Sequence, residues 1–69
     1  MNKLSARNQI KGKIVDVSKG ATTSHVRIDV GGGTVITASI TNEAVAELGL
    51  KAGLEAWAVI KASDVMIGV

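Results

Sequence analysis

From His25 to Val30 the chain alternates strictly. Val26, Ile28 and Val30 fall on one face, and His25, Arg27 and Asp29 on the other. A period of two is the pattern of a half-buried strand. The run from Thr34 to Ile40 alternates as well, with Ile36, Ala38 and Ile40 on a shared side. Three glycines at 31–33 separate the two runs and predict a hairpin, because glycine adopts positive φ without steric cost. Residues 8–17 predict a less regular first strand. Ile10, Gly12 and Ile14 share a face, but Val15 and Val17 take the opposite one. Gly12 then marks a bulge or a bend, as glycine inside a strand often does, or Val15 and Val17 meet a second subunit. Ser18-Lys19-Gly20 predicts the turn into the second strand.

At Thr41 the period changes. In TNEAVAELGL, Ala44, Val45 and Leu48 recur at helical spacing. Thr41 suits the N-cap, Glu43 lies in the first turn where the helix dipole favours an acid, and Gly49 suits the position after the last turn. This predicts a helix of about two turns. Residues 54–61, LEAWAVIK, predict a strand with apolar residues on both faces. Such a strand is covered on both sides, and in a chain this short a neighbouring subunit is the simplest second cover. DVMIGV, residues 64–69, predicts a short fifth strand. The reading is an all-β domain spanning residues 1–69: a small, closed, OB-like five-stranded barrel with one short helix between the third and fourth strands.

Composition narrows the support such a fold can have. A chain of 69 residues that is 46% hydrophobic and contains no cysteine has neither disulfides nor thiolate metal sites to stabilise it. Association with further copies is the remaining route. No run of about 18 apolar residues predicts a membrane helix, and no signal-peptide pattern opens the chain, so a cytoplasmic location is expected. The net charge of +2 is small and spread along the sequence, which argues only weakly for nucleic acid. Trp57 is the single aromatic residue. A stacking platform for single strands is therefore missing, and Trp57 reads as core or interface.

No nucleophile–base pair is visible. The lone His25 alternates with Arg27 and Asp29 and reads as a surface or interface residue. The acids are scattered without a metal-ligand spacing. The chain is therefore expected not to be an enzyme. What remains is three polar stretches: Ser5-Ala6-Arg7-Asn8, Thr41 at the helix start, and Lys61-Ala62-Ser63. They offer hydroxyls, a guanidinium, an ammonium and main-chain N–H groups, including that of Ala44 at the helix start. Together they suit a small oxyanion, which needs donors converging from several directions. Each also has an ordinary reading. Thr41 caps a helix, Lys61 is an edge-strand charge that deters aggregation, and Arg7 is solvated.

SARNQIKGKI at 5–14, ITASIT at 36–41, LGLKAG at 48–53 and AVIKASDVMIG at 58–68 carry a resemblance over nearly the whole chain. In order and spacing they resemble the molybdate-binding Mop domain, in the single-domain form of the molbindins. The resemblance implies an OB-like barrel that binds molybdate or tungstate for storage or homeostasis. It also implies strand exchange in a dimer, and a homohexamer built as a trimer of dimers with anions between subunits. Residue by residue it implies oxyanion contacts from Ser5 and Arg7, from Thr41 and the Ala44 N–H, and from Lys61, the Ala62 backbone and the Ser63 hydroxyl. Where family members can carry serine, this chain has Ala44, which keeps the N–H and loses a hydroxyl. A second kind of site lies on the symmetry axis of family hexamers. The turn Lys19–Ser24 offers a candidate for it, and equally reads as a solvated turn. The alternative to oxyanion binding is a basic OB-like module for nucleic acid or another protein.

Overall fold

Val26 and Ile28 lie at the centre of the sheet that their alternation predicts. The computed structural model describes residues 3–69. Its elements follow in the order β1 (Asn8–Lys19), β2 (Thr23–Gly31), β3 (Thr34–Thr41), α1 (Asn42–Leu48) and β4 (Glu55–Ile60), with a single 3-10 turn at Ala62–Asp64. Every pairing is antiparallel, and the strands stand in the order β3-β2-β1-β4. The all-β, OB-like class is as expected. Ile14, Val26, Ile28 and Ala58 form the buried core, with Val17, Ile36, Ile40, Val45, Leu50 and Leu54 packed against it.

β1 runs two residues beyond its predicted end, to Lys19, and the turn lies at residues 20–22. Its irregularity has a defined origin. The register with β2 jumps from Ile14–Ile28 to Asp16–Arg27, which leaves Val15 as the bulged residue. A bulge inverts the alternation beyond it. Ile14 and Val17, three residues apart, therefore both face the core, and Val15 remains 45% exposed. Gly12 is not the bulge. It pairs regularly with Ala56, and it is needed because β2 crosses it closely. A Cβ there would sit 2.4 Å from the Asp29 carbonyl oxygen and 2.8 Å from Ile28 Cγ2.

The predicted fifth strand is absent. Residues 65–69 have no strand partner, and Met66 and Ile67 are 93% and 86% exposed. A strand needs a partner's backbone to satisfy its N–H and C=O groups. β3 and β4 are the two edges of the sheet, and no segment among the described residues bridges them. The barrel is therefore curled but open, not closed. A groove of about 650 Å³ lies along the opening, lined by Ile28, Ile36, Ile40, Leu54, Ala58 and Trp57 among others.

The helix forms as its caps predict. The Thr41 side chain accepts from the Ala44 N–H at 3.1 Å. Gly49 closes the other end at φ 64°, where a side chain would be strained.

Gly12→Ala tests the close crossing. The added methyl meets backbone, which cannot swing aside as a side chain can. The variant is expected to lose about 1–3 kcal/mol, the usual cost of overpacking, in urea unfolding. An unchanged midpoint would show that β2 yields at this point without cost.

Candidate functional site

The ladder between β1 and β4 fixes the first group of polar residues. It runs from Lys13–Glu55 to Asn8–Ile60. Arg7 and Lys61 are the next residues outward on the two strands, so Ser5-Ala6-Arg7 and Lys61-Ala62-Ser63 leave the sheet at one end. Asn8 Nδ2 donates to the Ile60 carbonyl at 3.2 Å and locks this end of the ladder. Gln9 Nε2 donates to the Ala6 carbonyl at 3.1 Å and folds the preceding segment back. Asn8 and Gln9 thus brace the chain around Ser5 and Arg7. The 3-10 turn is held by Asp64 N–H donating to the Lys61 carbonyl at 2.9 Å. The N–H groups of Ala62 and Ser63 open that turn, so neither has an acceptor within it. Ser5, Arg7, Lys61, Ala62 and Ser63 are all exposed.

Thr41 and Ala44 are elsewhere. Lys19, at the far end of β1, pairs with Ser24, and Thr23 pairs with Thr41. Within one chain the helix start is therefore separated from Arg7 and Lys61 by the length of β1. The seven candidate residues form two groups, not one. The Ala44 N–H, expected to be a donor for the anion, is spent on Thr41 Oγ1 within this chain. The Thr41 oxygen is thereby used as an acceptor, and its own proton stays available to donate. The carboxylate of Glu43 lies in the same turn and is exposed.

The structure joins Thr41 instead to the turn at 19–24, through residues that the sequence reading passed over. Asn42 Nδ2 donates to the carbonyls of Gly20 and Ala21, at 3.0 and 3.3 Å. The Asn42 N–H donates to the Thr22 carbonyl at 3.0 Å. Ser24, 1% exposed, donates to Asn42 Oδ1 at 2.5 Å. One signal pointed there: asparagine is a poor helix former and competes for backbone partners, yet it opens this helix.

The outer face of the sheet is polar. A shallow depression of about 460 Å³ holds Asp16, Ser18, His25, Arg27 and Thr37. Arg27 Nε lies 3.1 Å from both carboxylate oxygens of Asp16, and Nη2 donates to Oδ2. That hydrogen bond, with the guanidinium charge adding to it and desolvation opposing, holds the Asp16 carboxyl below the usual carboxylate range. His25 lies on this face, away from both polar groups. Lys11 Nζ sits 5.6 Å from the Trp57 ring centroid and 3.4 Å from Glu55. Among the described residues no group of three or more His, Cys, Asp or Glu side chains clusters as metal ligands. No helix among them is long and apolar enough to cross a membrane.

The family model of the TOBE domain matches residues 4–67. A probable molybdenum-pterin-binding protein of Haemophilus influenzae is 51% identical over 97% of each chain. The chain belongs to the TOBE-domain molybdenum-pterin-binding family. The Mop-domain resemblance of the sequence is thereby confirmed. Among family structures, MopII of Clostridium pasteurianum in an apo form superposes with a TM-score of 0.91 at 48% identity, covering 97% of this chain and 100% of that one. ModG, a cytoplasmic molybdate-binding protein whose structure has molybdate bound, gives a TM-score of 0.93 at 51% identity. The alignment covers 99% of this chain and 48% of ModG, so this chain spans about half of that protein.

The Asp16–Arg27 pair predicts a pH dependence. The folded-state pKa of Asp16 is depressed, so the pair's stabilisation is present above the ordinary value of 3.8 and is lost as pH falls through the folded value. Being exposed, the pair contributes little. Urea midpoints at pH 7 and pH 3 are expected to differ slightly less in Asp16→Asn than in the unsubstituted protein. Equal differences would remove the pair from the stability of the fold.

Proposed function

We propose that this chain binds molybdate, and tungstate with it, at sites built between subunits, and that it serves intracellular storage or homeostasis of the oxyanion without catalysing a reaction. The observation that carries the proposal is the shared exit of Arg7 and Lys61 from the β1–β4 ladder. Two cations with neighbouring hydroxyls and unspent N–H groups suit a tetrahedral dianion. Family membership supports the ligand. The separation of Thr41 from this cluster supports the subunit boundary: for all seven residues to face one anion, Thr41 and the Ala44 turn must come from a second copy. The same reading takes the assembly to be a homohexamer formed as a trimer of dimers, held in the cytoplasm.

The open seam supports association as well. Among the described residues the tail Val65–Val69 is apolar and unpaired, and β3 and β4 have free edges above an apolar groove. A tail from a second copy supplies the missing fifth strand and satisfies those edges. The nucleic-acid alternative loses ground on Trp57, the one aromatic ring, which is half-buried with Lys11 over its face.

Selectivity follows from geometry. Sulfate has the charge and shape of molybdate but is smaller, so donors set at the larger radius leave its hydrogen bonds long or bent. Phosphate carries a proton near neutral pH, and a site made of donors leaves that proton unpaired.

Titration calorimetry tests the proposal. Arg7→Ala and Lys61→Ala are each expected to weaken molybdate binding by about 10–100-fold, from about 1.5–3 kcal/mol per charged hydrogen bond, without changing the circular dichroism spectrum. Co-refolding separates the chains. A Thr41→Ala and Lys61→Ala mixture regains some full-strength sites, whereas an Arg7→Ala and Lys61→Ala mixture regains none, because those two residues belong to one copy. Unaltered affinity in both charge variants sinks the site. A chain ending at Asp64 is expected to lose the oligomer on native mass measurement; an intact oligomer would assign association to another surface.

A further inference from the structure

We infer that Asn8 is a positioning residue of the Arg7–Lys61 end: it fixes the span between the two cation-bearing segments and so sets the size of tetrahedral anion the site accepts. This rests on the oxyanion reading above. Asn8 directly follows Arg7, and Ile60 directly precedes Lys61. The two are partners in the last rung of the β1–β4 ladder. Asn8 Nδ2 donates across that rung to the Ile60 carbonyl at 3.2 Å. The peptide from which Lys61 departs is thus held by the residue from which Arg7 departs.

The residue type is not what the strand itself calls for. Asparagine is depleted in strands, where β-branched residues are favoured. Asn8 is half-buried on the inner face, in the row of Ile10 and Ile14. An apolar β-branched residue would suit that place in both propensity and burial. The amide supplies instead a tie between two segments far apart in sequence. Gln9 gives the contrast. Its exposed amide bonds to the Ala6 carbonyl, inside its own segment. Among the described residues, the Asn8 bond is the one side-chain hydrogen bond that crosses between the segments at this end.

The tie has a consequence for size selection. The ends of a ladder open locally at little cost unless something holds them. An anion that binds a loose end must first order it, and the ordering lowers its affinity. A held end keeps its donors at one separation. At the separation that suits molybdate, the hydrogen bonds to the smaller sulfate are long or bent. A loosened end closes on sulfate without that penalty. Loosening therefore weakens molybdate and spares sulfate.

Two variants separate positioning from folding. Asn8→Ala removes the amide. Asn8→Val removes it too but places a strong strand former on the inner face, so its urea midpoint is expected to match or exceed that of Asn8→Ala. Molybdate is titrated directly and sulfate by displacement of molybdate. In whichever variant keeps the circular dichroism spectrum and native mass, molybdate affinity is expected to fall about 3–10-fold, the worth of one hydrogen bond. The preference for molybdate over sulfate is expected to fall at least threefold. Ile28→Val, which trims the core six residues along β1 from this end, is the control, and its preference is expected to stay within about twofold of the unsubstituted protein. An unchanged preference in the Asn8 variants would make Asn8 a structural tie alone and overturn the inference. So would an equal fall in Ile28→Val, or failure of both Asn8 variants to fold. If the unsubstituted protein bound no molybdate, the oxyanion reading itself would fall first.

Discussion

The whole arrangement depends on β1 being paired on both of its edges, to β2 on one side and to β4 on the other. A strand held on both edges cannot slip without inverting every side chain. Its register thus dictates position far beyond the core. At one end Arg7 and Lys61 leave the sheet from adjacent strands; at the other it meets the turn that Asn42 fastens to the helix. The Val15 bulge is what allows one continuous strand to serve both partners, since it re-aims Val17 into the core after the chain has bent.

Much of this was legible in the residues. The clean alternation of Val26, Ile28 and Val30 located β2, the glycine triplet located the hairpin, and Thr41 with Gly49 bounded the helix. These features are local, and local sterics and capping decide them. The bulge was not legible as such, because the phase inversion after Ile14 has the same appearance whether it comes from Val15, from Gly12 or from a second interface. Only the register with β2 distinguishes them. Gly12 was noticed for the wrong reason: it answers a close backbone crossing, which depends on a strand distant in sequence.

The polar residues divide in the same way. Ser5, Arg7, Lys61, Ala62 and Ser63 were singled out, and the ladder brings their two segments to one end. Their separation from Thr41 was invisible, since adjacency in a list of donors carries no information about which end of a strand each occupies. The clamp that Asn42 makes was not legible because three of its four partners are backbone carbonyls, which sequence does not distinguish. The fifth strand failed for a thermodynamic reason. Val65 to Val69 have the composition of a strand, but composition cannot supply the partner whose N–H and C=O groups complete it.

Core size links these points to association. Among the described residues only Ile14, Val26, Ile28 and Ala58 are buried apolar side chains, while a groove and an apolar tail stay open to solvent. A chain of this length gains little from burial alone, so a further copy that covers the groove adds stability where it is scarce. On the reading proposed above, bringing copies together also sets the cations Arg7 and Lys61, which leave one end of the β1–β4 ladder, at a boundary. A dianion placed there balances those charges, and a ligand that requires two chains to complete its contacts stabilises the assembled form by mass action. Ligand and assembly would then be one equilibrium on that reading, with the anion as the counterion of an interface that its absence leaves charged.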